Sequence, residues 1–202
     1  MAILTGTLFL IQSCKTVNFD KATNENFDIQ LSVFQNGSEH PISNLSETIE
    51  IDKKEFSLRF YNKKYDSKNS KFYSAQIAAF TDKSEFDKIR TGLSITELPC
   101  FEPGSGMAPD LSGKYESLIF KNSGHNYAPY ENSESKRLNL LKESDGGLLK
   151  LEFEINALYY NSKHVKMTKI ELKEFYIAFL INKNLNGKID EGELIKLTIK
   201  IK

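Results

Sequence analysis

Between Phe179 and Leu194 the chain reads FLINKNLNGKIDEGEL, and oxygen-bearing side chains fall at alternate positions within it: Asn182, Asn184 and Asn186, then Gly187, with Asp190 and Glu193 following. Counted from Asn182, this is a twelve-residue loop with side-chain oxygens at the first, third, fifth, ninth and twelfth places and the backbone carbonyl of Lys188 at the seventh. A hard dication such as Ca2+ takes about six to eight oxygens from such a spacing. Glycine at the sixth place allows the sharp turn, and a terminal glutamate can chelate through both oxygens. Only Asp190 and Glu193 are charged among these positions. Charge count governs affinity for such an ion, so a weak site is expected, on the order of 10⁻⁴–10⁻³ M and suited to an extracytoplasmic setting. The competing reading is a metal-free hairpin in which Asn186-Gly187 makes a type I′ turn.

The flanks decide what kind of loop this is. Phe175 to Ile181 is apolar throughout and partly aromatic or β-branched, and beyond the loop Ile195, Leu197, Ile199 and Ile201 alternate with Lys196, Thr198, Lys200 and Lys202. A helix would scatter those polar residues around its circumference, whereas a strand sets them all on one wet face. The unit is therefore strand–loop–strand, not the helix–loop–helix of an EF-hand. In that form it resembles the D-x-N-x-N-G-x-x-D-x-x-E loops of the calcium-binding B-type domains of bacterial surface proteins, with Asn182 standing where those loops begin with aspartate. The resemblance covers at most the last quarter of the chain and implies an immunoglobulin-like fold with Ca2+ held by Asn182, Asn184, Asn186, Lys188, Asp190 and Glu193.

A second chemical signal lies at the other end, MAILTGTLFLIQSCK. An apolar run of about ten residues is too short to span a bilayer, which takes roughly twenty, and matches the h-region of a secretory signal. Leu10-Ile11-Gln12-Ser13-Cys14 resembles the lipobox of bacterial lipoproteins, departing from it at Gln12 and in having no Lys or Arg before the apolar run. The resemblance implies a signal peptide over 1–13, lipidation of Cys14, and a tether over 14–26 leading to a soluble domain over 27–202. Several acyl chains, each CH₂ adding roughly 0.8 kcal/mol, would hold such a protein stably in a membrane. Lys15, with no acidic residue close behind, favours the outer membrane of the cell envelope. The alternative is that Ile3–Ile11 forms a first strand inside the domain, with a Cys14–Cys100 disulfide in place of the lipid.

The elements that must position these groups are mostly strands. Alternation marks Phe27–Val33, closed by the turn residues Gln35-Asn36-Gly37, and strands are predicted at Thr48–Ile51, Phe56–Tyr61, Phe72–Phe80, Leu148–Tyr160, near Val165–Leu172, at Phe175–Ile181 and at Ile195–Ile201. A short helix with a serine cap is expected over Asp82–Ile89, with Gly92 just past its end, and another over Lys136–Glu143. Many strands, few helices and no long linker predict one all-β domain, an antiparallel β-sandwich of immunoglobulin-like or related type with one or two short helices.

Composition narrows function by exclusion. The chain has 202 residues with 27 Lys+Arg against 27 Asp+Glu, so it lacks the basic excess by which proteins displace counterions from nucleic acid. His40, His125 and His164 share no metal-ligand spacing, and Gly104-Ser105-Gly106 is not a nucleophile elbow. Cys100 with His125 permits a nucleophile–base pair, and Glu152 with Glu154 permits paired acids or simply the solvent side of a strand. His125, Tyr127 and Tyr130 in the polar stretch Asn122–Ser135 suit contact with a protein or glycan, since tyrosine offers a large surface with a polar tip. That stretch and Pro99–Gly113 are the loops where binding is expected. The expected function is a lipid-anchored binding or structural module of the cell envelope; an envelope hydrolase or an immunity or inhibitor lipoprotein are the alternatives.

Overall fold

Alternation in Leu31–Gln35 and Phe56–Lys63 puts Leu31, Val33, Phe56, Leu58 and Phe60 on one side of two neighbouring strands and Ser32, Ser57 and Arg59 on the other. The fold grows from that division. The computed structural model describes residues 29–63, 75–98, 100–101, 138–144, 147–160 and 163–202. Its strands, in chain order, are β1 (Leu31–Gln35), β2 (Ser38–Pro41), β3 (Ser46–Ile51), β4 (Phe56–Lys63), β5 (Ala75–Phe80), β6 (Leu138–Glu143), β7 (Leu148–Ile155), β8 (Ala157–Tyr160), β9 (Lys163–Lys166), β10 (Glu174–Ile181) and β11 (Leu194–Ile201). Helix α1 (Lys83–Lys88) lies between β5 and β6, and 3-10 turns occupy Ile95–Glu97 and Met167–Lys169.

Among the described residues one sheet runs β2-β1-β4-β7-β6 and a second runs β3-β11-β10-β5, with β8 and β9 a separate hairpin. Neighbours are antiparallel except β3 and β11, which run parallel with Ile49 beside Ile199. The two sheets share one buried cluster, to which the first gives Leu58, Phe60, Leu151 and Phe153 and the second Ile77, Phe175, Phe179 and Leu197. Ring pairs join them, Phe56–Phe175 at 6.2 Å and Phe60–Phe179 at 5.1 Å between centroids, both tilted. Such a pair contributes about 0.5–1.5 kcal/mol beyond its area. The molecule is thus the all-β sandwich that the strand pattern predicts, with one parallel pair that the pattern does not show.

The second sheet is covered on its other face as well. Ala78, Phe80, Tyr176, Ala178, Leu180 and Leu194 pack against Phe86, Ile89, Ile95, Leu98 and Phe101. Burial on both faces explains why β10 reads as an unbroken apolar run while β7, open to water on one side, alternates. Asp82 caps α1 by accepting the Ser84 N–H at 2.8 Å, so the cap is two residues earlier than the expected serine. At the other end the Lys196 Nζ donates to the carbonyls of Phe86 and Ile89 at 2.9 and 3.1 Å and lies 4.2 Å from the Phe86 ring centroid. Burial there lowers its pKa, with Asp87 opposing.

Other expectations shift. Residues expected in a helix over Lys136–Glu143 instead form the edge strand β6. Its pairing with β7 slips between Leu140 and Lys142, so Leu140 and Leu141 both reach solvent and the two-residue period is lost. The run Leu148–Tyr160 breaks at Asn156 into β7 and β8, and the one near Val165–Leu172 shortens to β9 followed by a 3-10 turn. Strand β2, SEHP, is exposed along its whole length and has no apolar alternation to announce it. It exists because Asn36 and Gly37, at φ 52° and 78°, form the two-residue I′ turn that their sequence predicts.

Candidate functional site

The loop from Asn182 to Glu193 joins the two central strands of the second sheet, β10 and β11. Leu185 and Gly187 adopt left-handed conformations, φ 60° and 75°. Within this fold-back the Nδ2 groups of Asn184 and Asn186 both donate to Asp190 Oδ2, the second at 2.7 Å. Asn184 Oδ1 accepts the Asn186 N–H at 3.2 Å and Asn186 Oδ1 accepts the Lys188 N–H at 2.8 Å, so each asparagine pins the residue two places on. Because Asn186 itself does not take a positive φ, Asn186-Gly187 is not a type I′ turn, and the simple hairpin of the competing reading is not what the chain adopts.

Glu193 braces this arrangement from beneath. Its side chain is buried, with the residue 1% exposed, and Oε1 accepts the Lys183 N–H at 2.6 Å and the Asn184 N–H at 3.4 Å while Oε2 accepts the Asp190 N–H at 2.9 Å. One carboxylate therefore ties both arms of the loop together. Hydrogen bonds from Asn184 and then Asn186 hold the Asp190 carboxyl below its ordinary pKa. Asn182 Oδ1, at the head of the loop, is buried without a hydrogen-bond partner among the described residues.

Of the six residues read as metal ligands, the structure brings Asn184, Asn186 and Asp190 into contact, links Asp190 to Glu193 through the backbone, and sets Asn182 at the loop's origin with an unsatisfied oxygen. Lys188 contributes its N–H to Asn186. The two amide N–H groups on Asp190 supply the positive partial charge that a cation would supply. Turning both amides about χ2 would present oxygen in place of nitrogen, at the cost of the bonds their Oδ1 atoms accept from the Asn186 and Lys188 N–H groups.

The loop is also zipped to the chain after α1. Gly92 N–H donates to Ile189 O at 2.8 Å, Ile189 N–H to Leu93 O at 2.9 Å and Ile95 N–H to Gly187 O at 2.9 Å, with Ser94 and Lys188 bridged. Ile189 is fully buried in the cluster that covers the second sheet. Ile189 is one of two apolar residues in an otherwise polar loop; the other, Leu185, is exposed, so residue type alone does not single out this contact.

The outer face of the first sheet carries a second polar array, which sequence reading misses because its members lie far apart in the chain. Arg59 Nε donates to Glu152 Oε1 at 2.8 Å and its NH1 to Glu39 Oε2 at 3.0 Å, Lys150 Nζ reaches Glu39 at 2.9 Å, and the guanidinium lies 3.4 Å from the Phe34 ring centroid. Burial raises the Glu39 pKa, but bonds from Lys150, Ser32 and Arg59 outweigh it and hold the carboxyl below its usual value. Glu152 belongs to Arg59, and Glu154 accepts from Asn139 Nδ2 at 3.1 Å. The two glutamates on this face therefore bind separate partners.

His40 pairs with Glu47 at 3.1 Å on the opposite flank. Burial pushes the Cys100 thiol up to about 12, which keeps it protonated at neutral pH and makes it a poor nucleophile. Cys14, His125, Tyr127 and Tyr130, with Ile3–Ile11 and most of both long loops, lie outside the described residues. The sequence matches no protein-family model, no curated protein and no solved structure. The fold alone sets the class, an all-β sandwich with a braced, asparagine-rich loop between its two central strands.

Proposed function

We propose that the chain is a non-catalytic module of the bacterial cell envelope, anchored by lipid on Cys14, that binds Ca2+ weakly at loop 182–193 and engages a protein or glycan partner. The lipobox-like Leu10–Cys14 supports the anchor. The calcium reading is carried by one observation: the loop gathers Asn184, Asn186 and Asp190 while leaving Asn182 Oδ1 buried and unpartnered. An orphaned buried acceptor costs about 1–3 kcal/mol, and a cation held by the same loop would supply its missing partner. Asn182, Asn184, Asn186, the Lys188 carbonyl, Asp190 and Glu193 would hold the ion, Glu193 exchanging a backbone bond for it. The ion's contribution would be structural, a cross-link between the two arms.

Titration calorimetry of the full chain with CaCl₂ should show one site saturating in the range of about 10⁻⁴–10⁻³ M, with a matching rise in Tm, and Asp190→Ala should abolish both. A chain that neither takes up heat nor gains Tm well above that range does not bind calcium. Mass spectrometry of protein from the envelope fraction should find an acylated Cys14 at the mature N-terminus. An intact Met1 on cytosolic protein would sink the anchor.

A further inference from the structure

We infer that Ca2+ at loop 182–193 locks the layer covering the outer face of the second sheet; the inference rests on the calcium reading above and names what that site would regulate. The coupling path is short. The candidate ligands Asn186 and Asp190 flank Gly187, Lys188 and Ile189, and those three residues make the backbone contacts to Gly92–Ile95. Ile189 is at the same time fully buried against Phe86, Ile89, Ile95, Leu98 and Phe101. Fixing the oxygens at Asn186 and Asp190 therefore fixes the carbonyl of Gly187 and both backbone groups of Ile189, which hold the 92–95 segment on the sheet. Lifting that segment breaks three backbone hydrogen bonds and the Ser94 hydroxyl bond to Gly187 O and uncovers Ile189, which frees the ligands on either side of it to move. Two events that require the same residues in the same place stabilise each other equally.

The first sheet takes no part in this path, since its residues belong to the other buried cluster and the zipper touches none of its strands. The lock is consequently local. Cys100 offers an internal reporter, because it lies in the layer between Leu98 and Phe101 and packs half-buried against the cluster.

The test is peptide-resolved labelling of Cys100 in the full chain with a neutral thiol reagent, alongside hydrogen exchange, with and without calcium, the binding constant being measured separately by calorimetry. At free Ca2+ ten times Kd, the population of the opened layer should fall about elevenfold. Cys100 labelling and amide exchange over 92–98 should slow by that factor, while β4 and β7 exchange at unchanged rates. Calcium binding with unchanged Cys100 labelling overturns the lock and leaves the binding reading standing. Equal slowing in both sheets also overturns it, as that is global stabilisation. Absence of binding in the calorimeter removes the calcium reading itself. In Ile189→Ala, which keeps every candidate ligand, calcium should still bind but protect Cys100 less than threefold.

Discussion

The chain uses the dipeptide Asn-Gly twice to turn between neighbouring strands, and the two turns are built differently. At Asn36-Gly37 both residues are left-handed and strands β1 and β2 close directly, Gln35 opposite Ser38. At Asn186-Gly187 only the glycine is left-handed, partnered by Leu185 two places earlier, and a twelve-residue loop separates the strands. The first turn needs only its own backbone. The second is organised by Glu193 and Asp190, whose carboxylates receive five hydrogen bonds from the loop. A local preference of about 1 kcal/mol decides conformation when nothing competes with it, and yields where charged acceptors and a buried anchor are supplied from outside.

The largest blow to this contrast should come from Glu193→Ala. Removing a buried carboxylate that holds three N–H groups, at about 1.5–3 kcal/mol for each good charge-assisted bond, should cost on the order of 4 kcal/mol in urea denaturation. A loss under about 1 kcal/mol would mean the loop is not braced as described. Next come Gly37→Ala and Gly187→Ala. Both glycines have open space where a Cβ would lie, so each substitution should cost only the left-handed backbone penalty, roughly 1–2 kcal/mol. Without calcium the two variants should match; with calcium the Gly187 variant should fall behind, and continued equality would count against a cation site. Leu185→Gly runs the other way. Leucine at φ 60°, 41% exposed, is strained and packs little, so glycine should stabilise by about 0.5–1 kcal/mol in the same assay.

The smallest effect is electrostatic. Asp190 has a folded pKa below its unfolded value, so its favourable interactions are complete above the ordinary carboxylate range and fade as pH falls through the folded value. An NMR titration of its carboxyl should give a midpoint below 3.8, the unperturbed value. A midpoint at or above it would show that the amides of Asn184 and Asn186 do not face it in solution.

Much of this was legible in the sequence. Period-two alternation located β4, β7 and β11 because each has one face in the shared core and a polar face opposite, and the loop motif was plain from oxygen spacing alone. What failed did so for identifiable reasons. LNLLKE lacks alternation because the β6 pairing slips at Leu140, and SEHP carries no buried side chain, so its strand is dictated by its turn. Within the site, residue types revealed the possible ligands but not the hydrogen bonds they make. That Glu193 would spend its oxygens on backbone N–H groups, and that Ile189 would tie the loop to Gly92 and Leu93, depends on segments brought together only by folding.

The parallel pairing of β3 with β11 has a consequence for how the molecule is made. Ile49 waits for Ile199, and β11 then lies between β3 and β10, so the middle of the second sheet closes only after every strand from β3 to β10 has been made. Contacts so distant along the chain close slowly, and a nascent chain carrying β3, β5 and β10 without their central neighbour exposes unpaired strand edges.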